Sequence, residues 1–175
     1  MGRTTGILAG IAATLAATGF MTVALAAAPK PDPKAAPPPP DPVQQAQDQC
    51  DTGDVAACRK LAAHYAQGKD PVNDLPKSVA LFEKACGLGD VESCNMAASQ
   101  YGKGEGVAQD AKKAFDLYST SCTGKNAVGC LNAGVMAYKG EGVPHNVSRA
   151  VDLFKQACDL KEQKGCDNYN AIMGP

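Results

Sequence analysis

All eight cysteines of this 175-residue chain fall on one 36-residue ruler. Cys50, Cys86, Cys122 and Cys158 form one series, and Cys58, Cys94, Cys130 and Cys166 form the other. Every cysteine therefore belongs to a C-x7-C pair that recurs four times. A fixed period of this length marks a stacked array, in which each unit packs only on its neighbours, and argues against a single-core enzyme.

Aligned on the first cysteine, the repeats span residues 50–85, 86–121 and 122–157, with a half repeat at 158–175. Gly53, Gly87, Gly89 and Gly124 follow the first cysteine closely and can supply the positive φ angles that end a helix. One column then reads Asp54, Asp90, Asn126, Glu162, and its first three residues are good N-caps. They predict a helix A over 55–67, 91–103 and 127–139, closing at Gly68, Gly104 and Gly140. Asp74, Asp110 and Asn146 share a further column and predict the start of a helix B, which runs to the next first cysteine. Helix B carries Leu81-Phe82, Leu117-Tyr118 and Leu153-Phe154 in register, at helical spacing with Val79 and Phe115. Helix A carries Ala62, Ala98 and Gly134 at the matching places, and small side chains there allow A and B to approach closely. Tyr65 and Tyr101 share a column, while Tyr138 falls one place late; all three suit a core or a groove wall.

The stretches Cys94-Asn95-Met96-Ala97-Ala98-Ser99-Gln100-Tyr101-Gly102-Lys103-Gly104-Glu105-Gly106-Val107 and Cys130-Leu131-Asn132-Ala133-Gly134-Val135-Met136-Ala137-Tyr138-Lys139-Gly140-Glu141-Gly142-Val143-Pro144 resemble the Sel1-like repeat. Arg149-Ala150-Val151-Asp152-Leu153-Phe154-Lys155-Gln156-Ala157-Cys158-Asp159-Leu160 fits it too. With a cysteine pair in every repeat, residues 44–175 look like the cysteine-rich Sel1-like proteins secreted by bacteria. Repeat one departs from the pattern, since Gly68-Lys69-Asp70-Pro71 replaces the Gly-Glu-Gly-Val loop. The resemblance implies an all-α fold: a right-handed α/α superhelix of helix-turn-helix repeats, with helix A on its concave side.

Within one continuous helix, residues eight apart lie ~12 Å apart, whereas a disulfide needs Cα atoms within about 7 Å. A C-x7-C bridge therefore requires a turn between its members, which the early glycines supply in the first three pairs. The translational repeat selects the local set Cys50–Cys58, Cys86–Cys94, Cys122–Cys130 and Cys158–Cys166 from about 105 pairings. The fourth pair lacks an early glycine, because Asp159 to Lys164 separate Cys158 from Gly165. Structural zinc sites place cysteines two to four residues apart, so no metal is expected, and no cofactor.

Upstream, Arg3 precedes an apolar, alanine-rich run from Ile7 to Ala28. Ala24-Leu25-Ala26 fits the small-x-small rule for cleavage before Ala27, so residues 1–26 read as a signal peptide. The alternative is an uncleaved anchor, since the run is just long enough to span a bilayer. Residues 27–43 read as a Pro-rich linker, with four consecutive prolines from Pro37 to Pro40; a ligand for a recognition domain is the other use of such a run. Export and evenly spaced cysteines together point to disulfides in the periplasm or outside the cell. Removing residues 1–26 takes away only Arg3 and leaves about 16 basic side chains against 18 acidic ones. A near-neutral surface without a basic run argues against a nucleic-acid partner.

With every cysteine paired, no thiolate is left as a nucleophile, and His64 and His145 occupy different repeat positions. Some relatives of this kind are labelled penicillin-binding or β-lactamase, but no serine here is followed by lysine at the third position, as S-x-x-K chemistry requires. The expected function is a non-catalytic exported scaffold or adaptor that binds a protein or peptide, with a β-lactam-binding hydrolase and a redox-sensitive module as alternatives. The helix A columns that vary between repeats are free to specify a ligand. They place Lys60, Met96 and Asn132 in one column, His64, Gln100 and Met136 in another, and Gln67, Lys103 and Lys139 in a third. A fourth variable column reads Ala63, Ser99, Val135.

Overall fold

The computed structural model describes residues 39–67 and 74–174. The expected signal peptide, most of the expected linker and the Gly68-Lys69-Asp70-Pro71 loop lie outside the described residues. Among those described there are eight helices and no strands: α1 (Pro42–Asp51), α2 (Val55–Ala66), α3 (Leu75–Gly87), α4 (Val91–Lys103), α5 (Ala111–Thr123), α6 (Ala127–Lys139), α7 (Val147–Asp159) and α8 (Gln163–Met173). Each packs chiefly on the helix before and after it, and α6 also touches α8. The result is a helix-pair solenoid in which α2, α4, α6 and α8 are A helices and α1, α3, α5 and α7 are B helices. The sequence reading did not single out α1 as a helix. Asp41 starts it by accepting a hydrogen bond from the Val43 amide, with Pro42 in the first turn, where a missing N–H costs nothing.

The corner from B to A is the same in all four repeats. The residue at 53, 89, 125 or 161 takes a left-handed conformation: Gly53 (φ 96°), Gly89 (φ 98°), Lys125 (φ 65°) and Lys161 (φ 73°). Its amide donates three residues back, to the carbonyl of Cys50, Cys86, Cys122 or Cys158. The next amide donates five residues back, from Asp54 to Gln49, Asp90 to Ala85, Asn126 to Ser121 and Glu162 to Ala157. This pair of bonds is a Schellman stop, which satisfies the last carbonyls of helix B. The residue that completes the stop also starts the next helix. Asp54, Asp90 and Asn126 accept from the amides of Ala57, Ser93 and Gly129, whereas Glu162 makes no side-chain cap.

Two expectations about this corner are corrected. Gly87 belongs to the last turn of α3, and Gly124 sits at φ −75°; neither is the left-handed residue. A lysine takes that position in the last two repeats, so the fourth corner closes without a glycine. Gly124 has a different cause, since a Cβ there would lie 2.0 Å from Val91 Cγ1.

The bridges fasten these corners. Cys50–Cys58, Cys86–Cys94, Cys122–Cys130 and Cys158–Cys166 all form, with Cα atoms 4.6, 4.7, 4.4 and 4.5 Å apart. In the chain-entropy account a loop of this size contributes about 2.5 kcal/mol per bridge.

From A to B the chain turns through Gly104 and Gly140, both left-handed caps. Gly106 (φ 78°) and Gly142 (φ 72°) lie against the start of the preceding B helix. A Cβ on them would come within 2.6 Å of Leu75 and 2.2 Å of the Ala111 carbonyl. The Gly-Glu-Gly loops are thus packing devices between repeats.

The core runs between the A and B layers. Ala62, Ala98, Ala97 and Ala133 are fully buried on the A side against Phe82, Phe115 and Phe154 on the B side. Gly134 replaces alanine because a Cβ there would meet the Phe154 ring at 2.7 Å. At the edge of the core, a cation in the first turn of α3, α5 and α7 lies over an aromatic ring. Lys77 sits over Tyr65 and Lys113 over Tyr101, whereas Arg149 turns to Phe115. Ala137 occupies the tyrosine column in that repeat and is buried, leaving Tyr138 on the surface.

Two outcomes are expected. Lys125→Gly should raise the unfolding free energy by about 1 kcal/mol, because it removes the Cβ clash of a left-handed residue; thermal melts of the two chains measure it. Replacing Cys158 and Cys166 together by alanine should cost about 2 kcal/mol and free the amides of α8 first, which hydrogen exchange resolves helix by helix.

Candidate functional site

The side chains left over by the core decide what surface the solenoid offers. B helices put their large apolar residues inward. A helices bury their small columns together with Leu61, Tyr65, Gln100, Leu131 and Met136, and most of their variable residues face outward, where three successive clefts open between neighbouring A helices.

The first cleft lies between α2 and α4 and is lined by Lys60, Ala63, Phe82 and Met96, with Arg59 and Glu92 at its edge. The second, between α4 and α6, has a volume of about 480 Å³ and gathers Ser99, Lys103, Gln109, Tyr118, Asn132 and Glu141, together with Val135 and Met136. The third, between α6 and α8, is lined by Val135, Lys139, Phe154, Ala171 and Ile172, with Tyr138 and Asn168 beside them. Each cleft is closed below by the same helix B column: Phe82, Tyr118 and Phe154 stand 36 residues apart.

Of the nine residues expected on the binding face, Lys60 and Met96 meet in the first cleft, Lys103, Asn132 and Met136 in the second, and Lys139 in the third. His64 shares a recess of about 260 Å³ between α1 and α2 with Pro42, Val43, Ala46, Lys60 and Leu61, and its ring meets Tyr65 edge-on at 5.6 Å. Gln67 is exposed at the end of α2, with its amide bonded to the Ala63 carbonyl. Gln100 and Met136 were expected on an exposed face, and there the expectation is corrected: they are only 6% and 8% exposed. The Gln100 amide nitrogen donates to Ser78 Oγ at the start of α3 (3.2 Å), so this side chain ties α4 to α3. Met136 forms part of the core cluster around Phe115 and Phe154 while bounding the second cleft. Sequence reasoning missed the cleft floors and the share of α8. The signal was present: Phe82, Tyr118 and Phe154 keep one column, and Asn168, Ala171 and Ile172 extend the variable columns into the half repeat.

The charges are largely matched within their own loops. Lys103 and Lys139 lie 3.7 Å from Glu105 and Glu141. Lys113 bridges Glu83 (2.5 Å) and the Tyr101 hydroxyl (2.7 Å), and these two contacts hold its ammonium above the ordinary lysine range. Burial pushes the Tyr118 phenol up, opposed in part by a hydrogen bond with Ser99.

The buried serines are engaged in structural hydrogen bonds. Ser78, Ser93 and Ser121 are fully buried. Ser93 Oγ donates to Asp90, and Ser121 Oγ to the Val91 carbonyl. Among the described residues no serine hydroxyl bonds to a lysine, and no cluster of three or more His, Cys, Asp or Glu side chains could hold a metal ion. No helix among them is long and apolar enough to cross a membrane.

Stacked helical hairpins with a row of inter-repeat clefts define a repeat scaffold. Comparison with known proteins places it more narrowly. The pattern described as Sel1 repeat matches residues 55–90, 91–126 and 127–162, and the chain belongs to that family. Families of this kind are generally non-catalytic scaffolds for protein interaction. No curated protein matches.

Among solved structures, the chain is similar to a protective antigen of uropathogenic Escherichia coli that displays an SLR fold. The identity is 23% and the TM-score 0.71 over 75% of this chain, but this chain spans only 28% of that one. A Sel1 repeat protein from Oxalobacter formigenes gives 20% identity and a TM-score of 0.66, covering 74% of this chain and 97% of that chain. Cysteine rich protein B of Helicobacter pylori gives 28% identity and a TM-score of 0.54 over 71% of this chain and 90% of its own. Four disulfides and a cysteine-rich neighbour fit an oxidising setting.

The Tyr118 shift sets a pH dependence. A phenol whose folded pKa exceeds its unfolded value contributes stability that is present below the unfolded pKa, about 10, and is lost as pH rises through the folded one. Tyr118→Phe removes that contribution. Relative to wild type, the variant should therefore lose less stability between neutral pH and pH about 11, as measured by urea unfolding at each pH.

Proposed function

We propose that the chain is an exported scaffold, with residues 1–26 removed as a signal peptide, residues 27–43 serving as a spacer and residues 44–175 binding a protein segment along the helix A face. On this reading it works in the periplasm or outside the cell and performs no chemistry. One observation carries it: Lys60, Met96, Lys103, Asn132 and Lys139, from columns that differ between repeats, line consecutive clefts, while the cysteine, cap and glycine columns are spent on the corners. A surface varied over a constant frame is how repeat arrays specify partners. The local bridges supply the rigidity that a short, alanine-rich core lacks. The superhelix implied for the family puts this face on the concave side, where an extended segment makes its longest contact.

The immobilised, oxidised chain lacking residues 1–26 should capture a partner from an envelope extract. Lys103→Glu combined with Lys139→Glu should abolish capture with unchanged helicity by circular dichroism, whereas Lys112→Ala on α5 should leave it intact. Equal capture by the cleft variant would overturn the assignment to this face. Saturable nitrocefin turnover by the oxidised chain would overturn the non-catalytic reading.

A further inference from the structure

The four bridges repeat in the sequence but differ in how far solvent reaches them. We propose that Cys158–Cys166 is a thiol-exchange site, at which a low-molecular-weight thiol adds to Cys158, displaces Cys166 and frees α8. The site stands apart from partner binding and does not depend on it.

Burial separates the bridges first. Cys50 and Cys58 are both fully buried, and Cys122 and Cys130 are 6% and 0% exposed. Both pairs belong to the hydrophobic core. In the second bridge Cys86 is partly exposed but Cys94 is buried. Only in the fourth are both members partly exposed. The cause lies in the stacking. Cys122 Sγ lies 3.6 Å from Gln156 Oε1 on the following B helix. Helix α8 is the last described helix, and no described B helix beyond it covers Cys158 in the same way.

Charge separates them next. The reagent in thiol exchange is a thiolate, which is an anion. The loop closed by the first bridge carries Asp51 and Asp54, and the loop closed by the second carries Asp90 and Glu92, with no basic residue in either. Lys84 and Arg59 offset one charge in each. The fourth loop sets Lys161 and Lys164 against Asp159 and Glu162, and Asp159 is held by Lys155 at 2.9 Å. An incoming thiolate therefore meets less repulsion at the fourth corner than at the first two. Lys125 is the sole charge in the third loop, but the bridge there is buried.

The helix ends choose the leaving sulfur. Cys158 is the last residue but one of α7, and Cys166 is the fourth of α8. A helix favours an anion at its start and disfavours one at its end. Glu162 gives α8 no side-chain cap, unlike Asp54, Asp90 and Asn126 at the other corners, so the positive end of that helix is left unspent. A thiolate thus forms a new S–S bond to Cys158 Sγ, and the old bond breaks with its electron pair on Cys166 Sγ. A second thiol can then attack the mixed disulfide. Two external thiols become one external disulfide, and their protons end on two cysteine thiols of the chain.

Little else holds α8. It buries only Gly165, whereas α2 and α4 bury five residues each and α6 seven. Tyr169 and Ile172 are partly buried against the core. With the bridge open, this packing competes poorly with the conformational freedom the segment regains. The third cleft then loses Asn168, Ala171 and Ile172.

The oxidised chain is treated with graded reduced glutathione at neutral pH, free thiols are blocked, and the peptides are mapped by mass. The first product should carry glutathione on Cys158 and a blocked thiol on Cys166, with the other three bridges intact. It should form about tenfold or more faster than any other adduct. Hydrogen exchange on that species should show α8 unprotected and α2, α4 and α6 unchanged. Lys161→Glu combined with Lys164→Glu should slow the reaction with glutathione severalfold. The same variant should react almost normally with cysteamine, whose thiolate form has no net charge; a merely structural effect would change both reagents alike.

First reaction at Cys86–Cys94, opening of all four bridges together, or no adduct until the whole chain unfolds would overturn the proposal. Glutathione on Cys166 in place of Cys158 would overturn the direction of attack, and full protection of α8 in the adduct would overturn its release. No partner is present in these measurements, so their failure leaves the helix A reading to its own capture experiment.

Discussion

The corner between helix B and helix A is the constraint on which the rest of the molecule depends. Two backbone hydrogen bonds stop one helix, and a single side chain starts the next. A disulfide then pins the two ends with Cα atoms 4.4 to 4.7 Å apart. Repeating one corner at a constant interval makes each hairpin a displaced copy of the last. Because the core is built from alanine against single aromatic rings, small errors in corner geometry would open voids that such side chains could not fill.

The constant corner divides the labour between the two helix types. B helices must present Phe82, Phe115 and Phe154 inward and close the solenoid from outside. A helices need only be thin on one side, as Ala62, Ala98 and Gly134 are. Their remaining columns carry little structural duty and collect the residues that differ from repeat to repeat. The partial exception is instructive: Gln100 and Met136 share a column with exposed His64, yet both are buried. The column fixes a direction, and what lies in that direction differs from one repeat to the next. Gln100 is drawn to Ser78 and Met136 into the cluster around Phe154.

Much of this was legible in the chain. The cysteine interval gives the repeat, the Asp and Asn columns give the helix starts, and the turn requirement gives the pairing. Lys125 and Lys161 in left-handed geometry were not legible, because a lysine there carries no signal as a glycine does; only the column shared with Gly53 and Gly89 betrays them. Helix α1 was missed for a related reason. Its glutamines and Asp48 offer little apolar periodicity, and its place is set by the Cys50 bridge and by packing on α2. The cleft floors were read as core, and they are core. Their second role arises only when neighbouring A helices stand apart above them, which no single repeat can reveal.

The short reach of each bridge bears on how the chain matures. Partners sit eight positions apart, while the nearest wrong cysteine, Cys86 from Cys58, is 28 away. Small loops close faster and at lower entropic cost than large ones. Oxidation can therefore follow the polypeptide as it emerges, one hairpin at a time, with the correct sulfur always the first to arrive. An assembly that crosslinks in the order of its synthesis has little need of an isomerase to undo mispairing, and can be lengthened or shortened by whole units without re-solving its oxidation problem.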